Sequence, residues 1–402
     1  VNIAIVASDA ATDTIDHSDA AAQRAHLYAV ARELGREHRV TIYARLDSPE
    51  RKPKTRIAHG LTVEHVPAGP AESLPEDEAL KYAPEFGARL HRRWESDRPD
   101  IVHAFSWTGG LAAIAAADGL DVPVTQTLPR LGPSIWQHGA PVGEDAKRVR
   151  LARALGRTAT AVIARCGDEE SELIRLGVPR HHICVVPCGI DIERYRRHGP
   201  AAARGKRPRL LHIGPLGREH GAHTAVRALE GVADAELVIA GGPPAERLGT
   251  DMEAHRLRIL AKEVGVDDRV TILGQVSPAT AAKLIRSADA VLSLPEEAAA
   301  GVVALEAMAC GVPVIASAVG AHLDAVLDGV TGVLVPPGHP ARTARLAREL
   351  LADPTRRAAL GYAGADRVRS RYSFERISHE LLRVYEEALE TSRSSRHLTA
   401  AH

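Results

Sequence analysis

Aromatic side chains are scarce in this chain, with Phe, Trp and Tyr making up 3% of 402 residues, and only two methionines accompany them. A core must therefore be assembled mostly from aliphatic residues and alanine. Cysteine is nearly as rare, at Cys166, Cys184, Cys188 and Cys310. His181 and His182 lie close to Cys184 and Cys188, which leaves a zinc site open. However, Cys184 to Pro187 reads as strand and no second cysteine pair sits at ligand spacing, so buried, reduced thiols and no metal are the expectation. No run of 18 apolar residues occurs, so no membrane-spanning helix is expected. Neither sign of charge is in excess, with 51 Lys+Arg against 51 Asp+Glu. Nothing global points to nucleic acid or to an anionic membrane. The chain opens into a strand at Asn2 with no basic leader region, and a cytoplasmic protein is the expectation. No G-x-G-x-x-G follows a strand with an acidic partner downstream, which argues against a dinucleotide-dependent oxidoreductase.

The chain does hold two long series of short apolar strands alternating with helical stripes. The first series reads Ile3–Ala7, Val40–Ala44, Leu61–Val66, Ile101–Ala104, Val124–Thr127, Ala161–Ala164 and Cys184–Val186. The second reads Leu210–Ile213, Glu236–Ala240, Val270–Leu273, Ala290–Leu294, Val314–Ala316 and Val333–Val335. Continuous apolar strands separated by helices indicate parallel sheets covered on both faces. Length alone favours two domains. The reading is α/β with two doubly wound, Rossmann-like domains, at 1–190 and 207–372. The join is the Pro-, Gly- and Arg-rich stretch before Arg207. A last helix over about 374–390 carries Ile377, Leu381, Val384 and Ala388 on one side. From Thr391 a polar, disordered tail is predicted.

The chemistry concentrates in Pro295–Gly320, P-E-E-A-A-A-G-V-V-A-L-E-A-M-A-C-G-V-P-V-I-A-S-A-V-G. The spacing predicts a helix opening near Gly301, with Val302, Leu305, Met308 and Ala309 on one face, ended by Gly311 and Pro313. A glycine at a helix start admits a ligand to free backbone N–H groups, which favour an anion. Glu306 stands one turn further on, within reach of a ligand hydroxyl. Further motifs follow the same order: V-P-C-G-I-D at Val186–Asp191, V-I-A-G-G-P at Val238–Pro243, D-G-V-T-G-V-L-V-P-P at Asp328–Pro337 and R-Y-S-F at Arg371–Phe374.

Together these motifs resemble the retaining glycosyltransferases of family 4, the sucrose-phosphate-synthase-like group. The resemblance spans nearly the whole chain. It implies the GT-B fold, with an acceptor domain first, a nucleotide-sugar domain second, a cleft between them and a final helix that returns to the first domain. It implies no metal or other cofactor, and a UDP-sugar as the commonest donor. By the same resemblance the donor lies against Glu306, Gly301 and Val302. Gly214 and His220 belong to the loop after the first strand of the second domain, and Gly241, Gly242 and Gln275 complete the set. Glu306 is the residue that would hold the ribose.

Several positions depart from the family pattern. Pro215 and His220 stand where an Arg and a Lys grip the diphosphate; proline offers neither charge nor N–H, and histidine is mostly neutral at pH 7. Ala21 and Ala22 replace a Gly-Gly loop after the first strand. Phe105 replaces an active-site histidine, Pro129 replaces another, and Ala298 replaces the first glutamate of E-x-x-x-x-x-x-x-E. The remaining candidates for catalysis are Arg218, otherwise a solvated loop charge; Glu297, shifted by a bulge or else a favourable charge before a helix; and His103, otherwise a structural histidine at a strand end. Two readings stay open. One is a diverged transferase acting on a nucleotide sugar and a small-molecule acceptor. The other is a catalytically silent GT-B protein that partners or stabilises a related glycosyltransferase subunit.

Overall fold

Strands in the second half of the chain alternate in which side they bury, and both sides are covered. In a computed structural model, Leu210, Leu237, Ile239, Leu292 and Ile315 face one aliphatic core. Their neighbours Leu211, Val238, Val291 and Val314 face another. This is why these strands read as unbroken apolar runs rather than as an alternating pattern. The structure describes residues 1–7, 19–129, 143–297 and 300–399. The chain divides into two compact units. One comprises Val1–Thr12, Leu27–Pro187 and Ile377–His402, and the other Asp13–His26 and Cys188–Arg376.

The first unit is built from β1 (Asn2–Ala7), the part of α1 (Asp19–Leu34) from Leu27 onward, β2 (Arg39–Arg45), β3 (Lys54–Ala58), β4 (Leu61–Val66), α2 (Glu76–Ala79), α3 (Ala83–Ser96), β5 (Ile101–Phe105), α4 (Ser106–Ala117), β6 (Val124–Thr127), α5 (Gly143–Thr158), β7 (Ala161–Ala164), α6 (Gly167–Arg175) and β8 (Ile183–Val185). Its sheet has the order β3-β4-β2-β1-β5-β6-β7-β8. All pairings are parallel except β3 with β4. The sequence pattern does not reveal β3, a mostly exposed edge strand whose Lys54 and Arg56 look like loop charges. Three of the aromatic residues, Phe86, Trp94 and Tyr43, belong to the core between α3 and the sheet.

The second unit continues with β9 (Arg209–Ile213), α7 (Ala222–Glu230), β10 (Glu236–Ala240), α8 (Met252–Glu263), β11 (Val270–Gly274), α9 (Pro278–Ser287), β12 (Ala290–Ser293), α10 (Val302–Ala309), β13 (Val314–Ser317), α11 (His322–Ala325), β14 (Val333–Val335), α12 (Pro340–Ala352) and α13 (Pro354–Arg371). The sheet order β11-β10-β9-β12-β13-β14 is fully parallel. Within the unit this is the 3-2-1-4-5-6 arrangement of a dinucleotide-type Rossmann sheet. The last helix, α14 (Phe374–Thr399), belongs to both units. It passes Thr391 without a break, so the predicted tail is helical to Thr399. Thr391 bonds back to the Glu387 carbonyl at 2.8 Å inside that helix.

The four cysteines form no disulfide, and Cys166, Cys188 and Cys310 are buried. Among the described residues no cluster of His, Cys, Asp or Glu has the arrangement of a metal site, and no helix is long and apolar enough to cross a membrane.

Candidate functional site

Ligands of open parallel sheets bind outside the carboxyl ends of the strands, where the order reverses. In the second unit that point lies between β9 and β12. The two strands pair only at Ala290 with Leu210 and Val291 with Leu211, and beyond this they separate. The loop after β9 runs through Gly214–Gly221, and the loop after β12 leads to Gly301. Backbone bonds tie the two together, since the Glu296 N–H donates to the Glu219 carbonyl at 2.9 Å. Two glycines permit close approaches here, Gly221 of the β9 loop to the end of β12 and Gly241, after β10, to the β9 loop. A Cβ on Gly241 (φ +134) would lie 2.0 Å from the Gly214 oxygen, and one on Gly221 (φ +92) would lie 2.0 Å from the Leu294 oxygen. Gly241 is therefore a packing requirement of the loops, and Gly242 similarly rests on Leu216. Gly301 (φ +76) takes the left-handed conformation at the start of α10, followed by half-buried Val302.

Glu306, one turn into α10, carries the most unusual carboxyl of this unit. Burial pushes its pKa up to about 7, against the opposing pull of a Tyr195 hydroxyl that donates to it and of the nearby Arg194 guanidinium. Tyr195 is buried with 5% exposure. The sequence pattern places Glu306 but gives no sign of Tyr195 as its partner. Gln275 follows β11 and donates its N–H to Pro243 at 2.9 Å.

The start of α7 has Gly221 as its N-cap and no side chain capping it. Around it stand Arg218, His220 and His223. The side chain of Arg218 is 78% exposed, with its Nε 3.7 Å from Glu296 Oε1. His220 Nε2 is 3.4 Å from Glu219 Oε1. Pro215 is half-buried beside them. Glu297 is exposed, and Ala298 lies outside the described residues. Glu296, rather than Glu297, is thus the acidic residue that meets Arg218.

Beneath this loop is a residue that sequence reasoning missed. His212, in β9, is 1% exposed. Its Nδ1 donates to the Leu292 carbonyl at 3.1 Å, while Nε2 has no partner among the described residues. Burial pulls its pKa down to about 4, opposed by the Leu292 bond and reinforced by the neighbouring His220. His322 offers a control within the same unit. It is equally buried, but its Nδ1 donates to the Ser317 carbonyl and its Nε2 pairs with Ser293 Oγ.

At the corresponding point of the first unit, between β1 and β5, the described side chains satisfy one another. His103 Nδ1 meets the Tyr385 hydroxyl at 2.7 Å, and Nε2 meets Thr127 Oγ1 at 2.9 Å. Phe105 stacks on the ring with centroids 4.2 Å apart. With both nitrogens engaged inside the fold, the geometry favours the structural reading of His103 over the catalytic one. The start of α4 is also occupied, because Glu76 Oε1 accepts the N–H groups of Trp107 and Thr108 at 3.0 and 2.8 Å. Ala21 and Ala22 do not form a loop. They lie in the first turn of α1, where alanine is the strongest helix former. Pro129 lines a small pocket with Leu128, Glu169 and Glu172.

Comparisons with known proteins agree with this architecture. The description "Glycosyltransferase Family 4" matches residues 23–194, and "Glycosyl transferases group 1" matches residues 194–367. D-inositol 3-phosphate glycosyltransferase of Xylanimonas cellulosilytica is 32% identical over 391 residues, covering 92% of each chain. The protein of that name from Acidothermus cellulolyticus is 31% identical over 398 residues, covering 94% of this chain and 88% of its own. Among solved structures, a sucrose-phosphate synthase from Thermosynechococcus elongatus superposes with a TM-score of 0.79 at 26% identity, covering 100% of this chain and 99% of its own. Anabaena HepE in complex with UDP and glucose matches in fold, with a TM-score of 0.73 at 18% identity over 96% of this chain and 99% of its own. The two sheets, the motif series and these full-length likenesses lead to one assignment: the chain belongs to family 4 of the glycosyltransferases, with the GT-B fold.

Proposed function

We propose that the protein transfers a sugar from a nucleotide sugar, with UDP as the nucleotide, to a small phosphorylated cyclitol, and that it does so through a rearranged diphosphate site. The observation that carries this reading is Glu306. It sits on α10 beside the switch point, with its carboxyl turned to the buried hydroxyl of Tyr195. A carboxylate in that position accepts paired hydroxyls such as those of a ribose. The uncapped start of α7 supplies backbone N–H groups for the phosphates. Charge that builds on the departing diphosphate would meet those donors and the histidines around them, in place of an Arg–Lys pair. The acceptor class comes from the relatives named as D-inositol 3-phosphate glycosyltransferases at 30–32% identity. The domain limits of 1–190 and 207–372 and a cytoplasmic location are parts of the same proposal.

Calorimetry with UDP, GDP and dTDP, followed by UDP release from UDP-sugars in the presence of inositol 3-phosphate, tests it. Micromolar UDP binding with acceptor-dependent release is the expected result. No nucleotide binding tighter than millimolar overturns the reading. A second reading rests on Pro215, which carries neither charge nor N–H at a clamp position: a catalytically silent partner of a related glycosyltransferase. Binding without turnover, together with co-purification alongside an active relative, favours that one.

A further inference from the structure

Three histidines lie along the segment from β9 to the first turn of α7, and the most buried of them has an idle nitrogen. The donor bond to Leu292 fixes the proton of neutral His212 on Nδ1, so Nε2 carries a bare lone pair. That lone pair is desolvated and unmatched, a condition that costs free energy unless something arrives to satisfy it. The nitrogen lies against Gly214, where the loop after β9 begins. A Cβ built on Gly214 would touch His212 Nε2 at 3.7 Å and meet nothing else within 4 Å outside its chain neighbours. His212 also stands one residue beyond the last β9–β12 pair, Leu211 with Val291.

A lone pair aimed at a diphosphate would repel it, whereas an N–H would bind it. We propose that a nucleoside diphosphate entering at the start of α7 places a proton on His212 Nε2, so that binding is coupled to uptake of one proton from solvent. The inference rests on the proposed function and names how its phosphate site is charged. The proton is taken from water or buffer. Nδ1 keeps its hydrogen and its bond to Leu292, and the new Nε2–H donates toward the phosphate. No bond to carbon or phosphorus is made or broken.

The charged and titratable groups that face this position come from several elements. Arg218, Glu219 and His220 stand on the loop after β9, and His220 acts on His212 directly. Glu296 stands on the loop after β12. His223 and Arg227 stand on α7, and Glu253 on α8 acts on His223. Both signs of charge thus stand along these segments, with a neutral buried ring on β9. The ring is held uncharged by burial, and a dianion beside it reverses that balance.

Linkage fixes the sign. The bound state holds more protons than the free state, so affinity falls as pH rises, by up to about tenfold per pH unit for one proton. The test is UDP binding to the full chain at pH 7.5, measured by calorimetry in two buffers of different ionisation enthalpy. Uptake of between about half a proton and one proton per UDP is expected. His212→Asn keeps a donor for Leu292 but lacks the second nitrogen, and should abolish the uptake, while His220→Gln should leave most of it. In wild-type chain labelled with 15N-histidine, one bare ring nitrogen should become protonated when UDP is added, a readout that needs no variant. UDP binding with no proton uptake, or no such nitrogen signal, overturns this inference alone. Failure to bind UDP at any pH between 6 and 8.5 overturns both this inference and the proposed function.

Discussion

Two buried histidines stand at the switch points of the two sheets, and they are in opposite conditions. His103 in the first unit has both ring nitrogens bonded, an aromatic ring stacked on its face, and a nearby helix start already filled by Glu76. His212 in the second unit has one nitrogen bonded and one bare, beside a helix start with no side-chain cap. Among the described residues, the histidine of one unit is closed off by its partners and that of the other is left open. A satisfied buried polar network rigidifies the structure around it, whereas an unsatisfied one is tolerated where a ligand completes it. The difference marks the second sheet as the edge that waits for something.

The largest effect should come from exchanging each histidine for phenylalanine. His103→Phe strands the Tyr385 hydroxyl and Thr127 Oγ1 and should destabilise the protein by about 3 kcal/mol, with UDP affinity unchanged. His212→Phe removes the idle nitrogen along with the Leu292 bond. It should cost less than about 1 kcal/mol of stability while UDP binding weakens about tenfold. Denaturant melts and calorimetry on both variants check the crossing. Two variants that behaved alike would erase the distinction between the sites.

A second effect sharpens the picture of the open site through pH. The Glu306 carboxyl titrates at about 7 in the folded chain, against an ordinary value of 4.5. Between these values the folded state keeps a proton that the unfolded chain has released, so this group's contribution to stability falls as pH rises from 4.5 and levels off above about 7. The slope is at most about 1.4 kcal/mol per pH unit. Glu306→Gln should flatten the wild-type curve across that window in parallel urea melts. An unchanged difference between wild type and variant from pH 5 to 8 would contradict it.

The smallest effect concerns the closed site. Glu76→Gln keeps an oxygen acceptor for Trp107 and Thr108 but loses the charge that complements the helix end. A loss of about 0.5–1 kcal/mol, diminished by salt, is expected. Thermal melts at low and high ionic strength read it directly.

Much of this architecture was legible beforehand, for a physical reason. Strands covered on both faces must be apolar at every position, so both strand series stood out as runs. Glu306 was legible because its motif keeps its spacing to Gly301. The edge strand β3 was not, since an edge exposed to water needs no apolar pattern. Ala21 and Ala22, expected in a loop after the first strand, lie instead in the first turn of α1. The role of His212 was out of reach from R-L-L-H-I, because the sequence shows which face the ring takes but not where the ladder beside it ends. The Glu76 cap joins residues about 30 positions apart, and no local pattern signals it.

The backbone weld between Gly241 and Gly214, with its counterpart between Gly221 and Leu294, has an evolutionary corollary. Neighbouring loops pressed together without side chains between them cannot lengthen one at a time without prying the other loose. Descendants of this chain that acquire a new donor should therefore differ by exchanged side chains on loops of constant length, with insertions relegated to the far rim of the sheet.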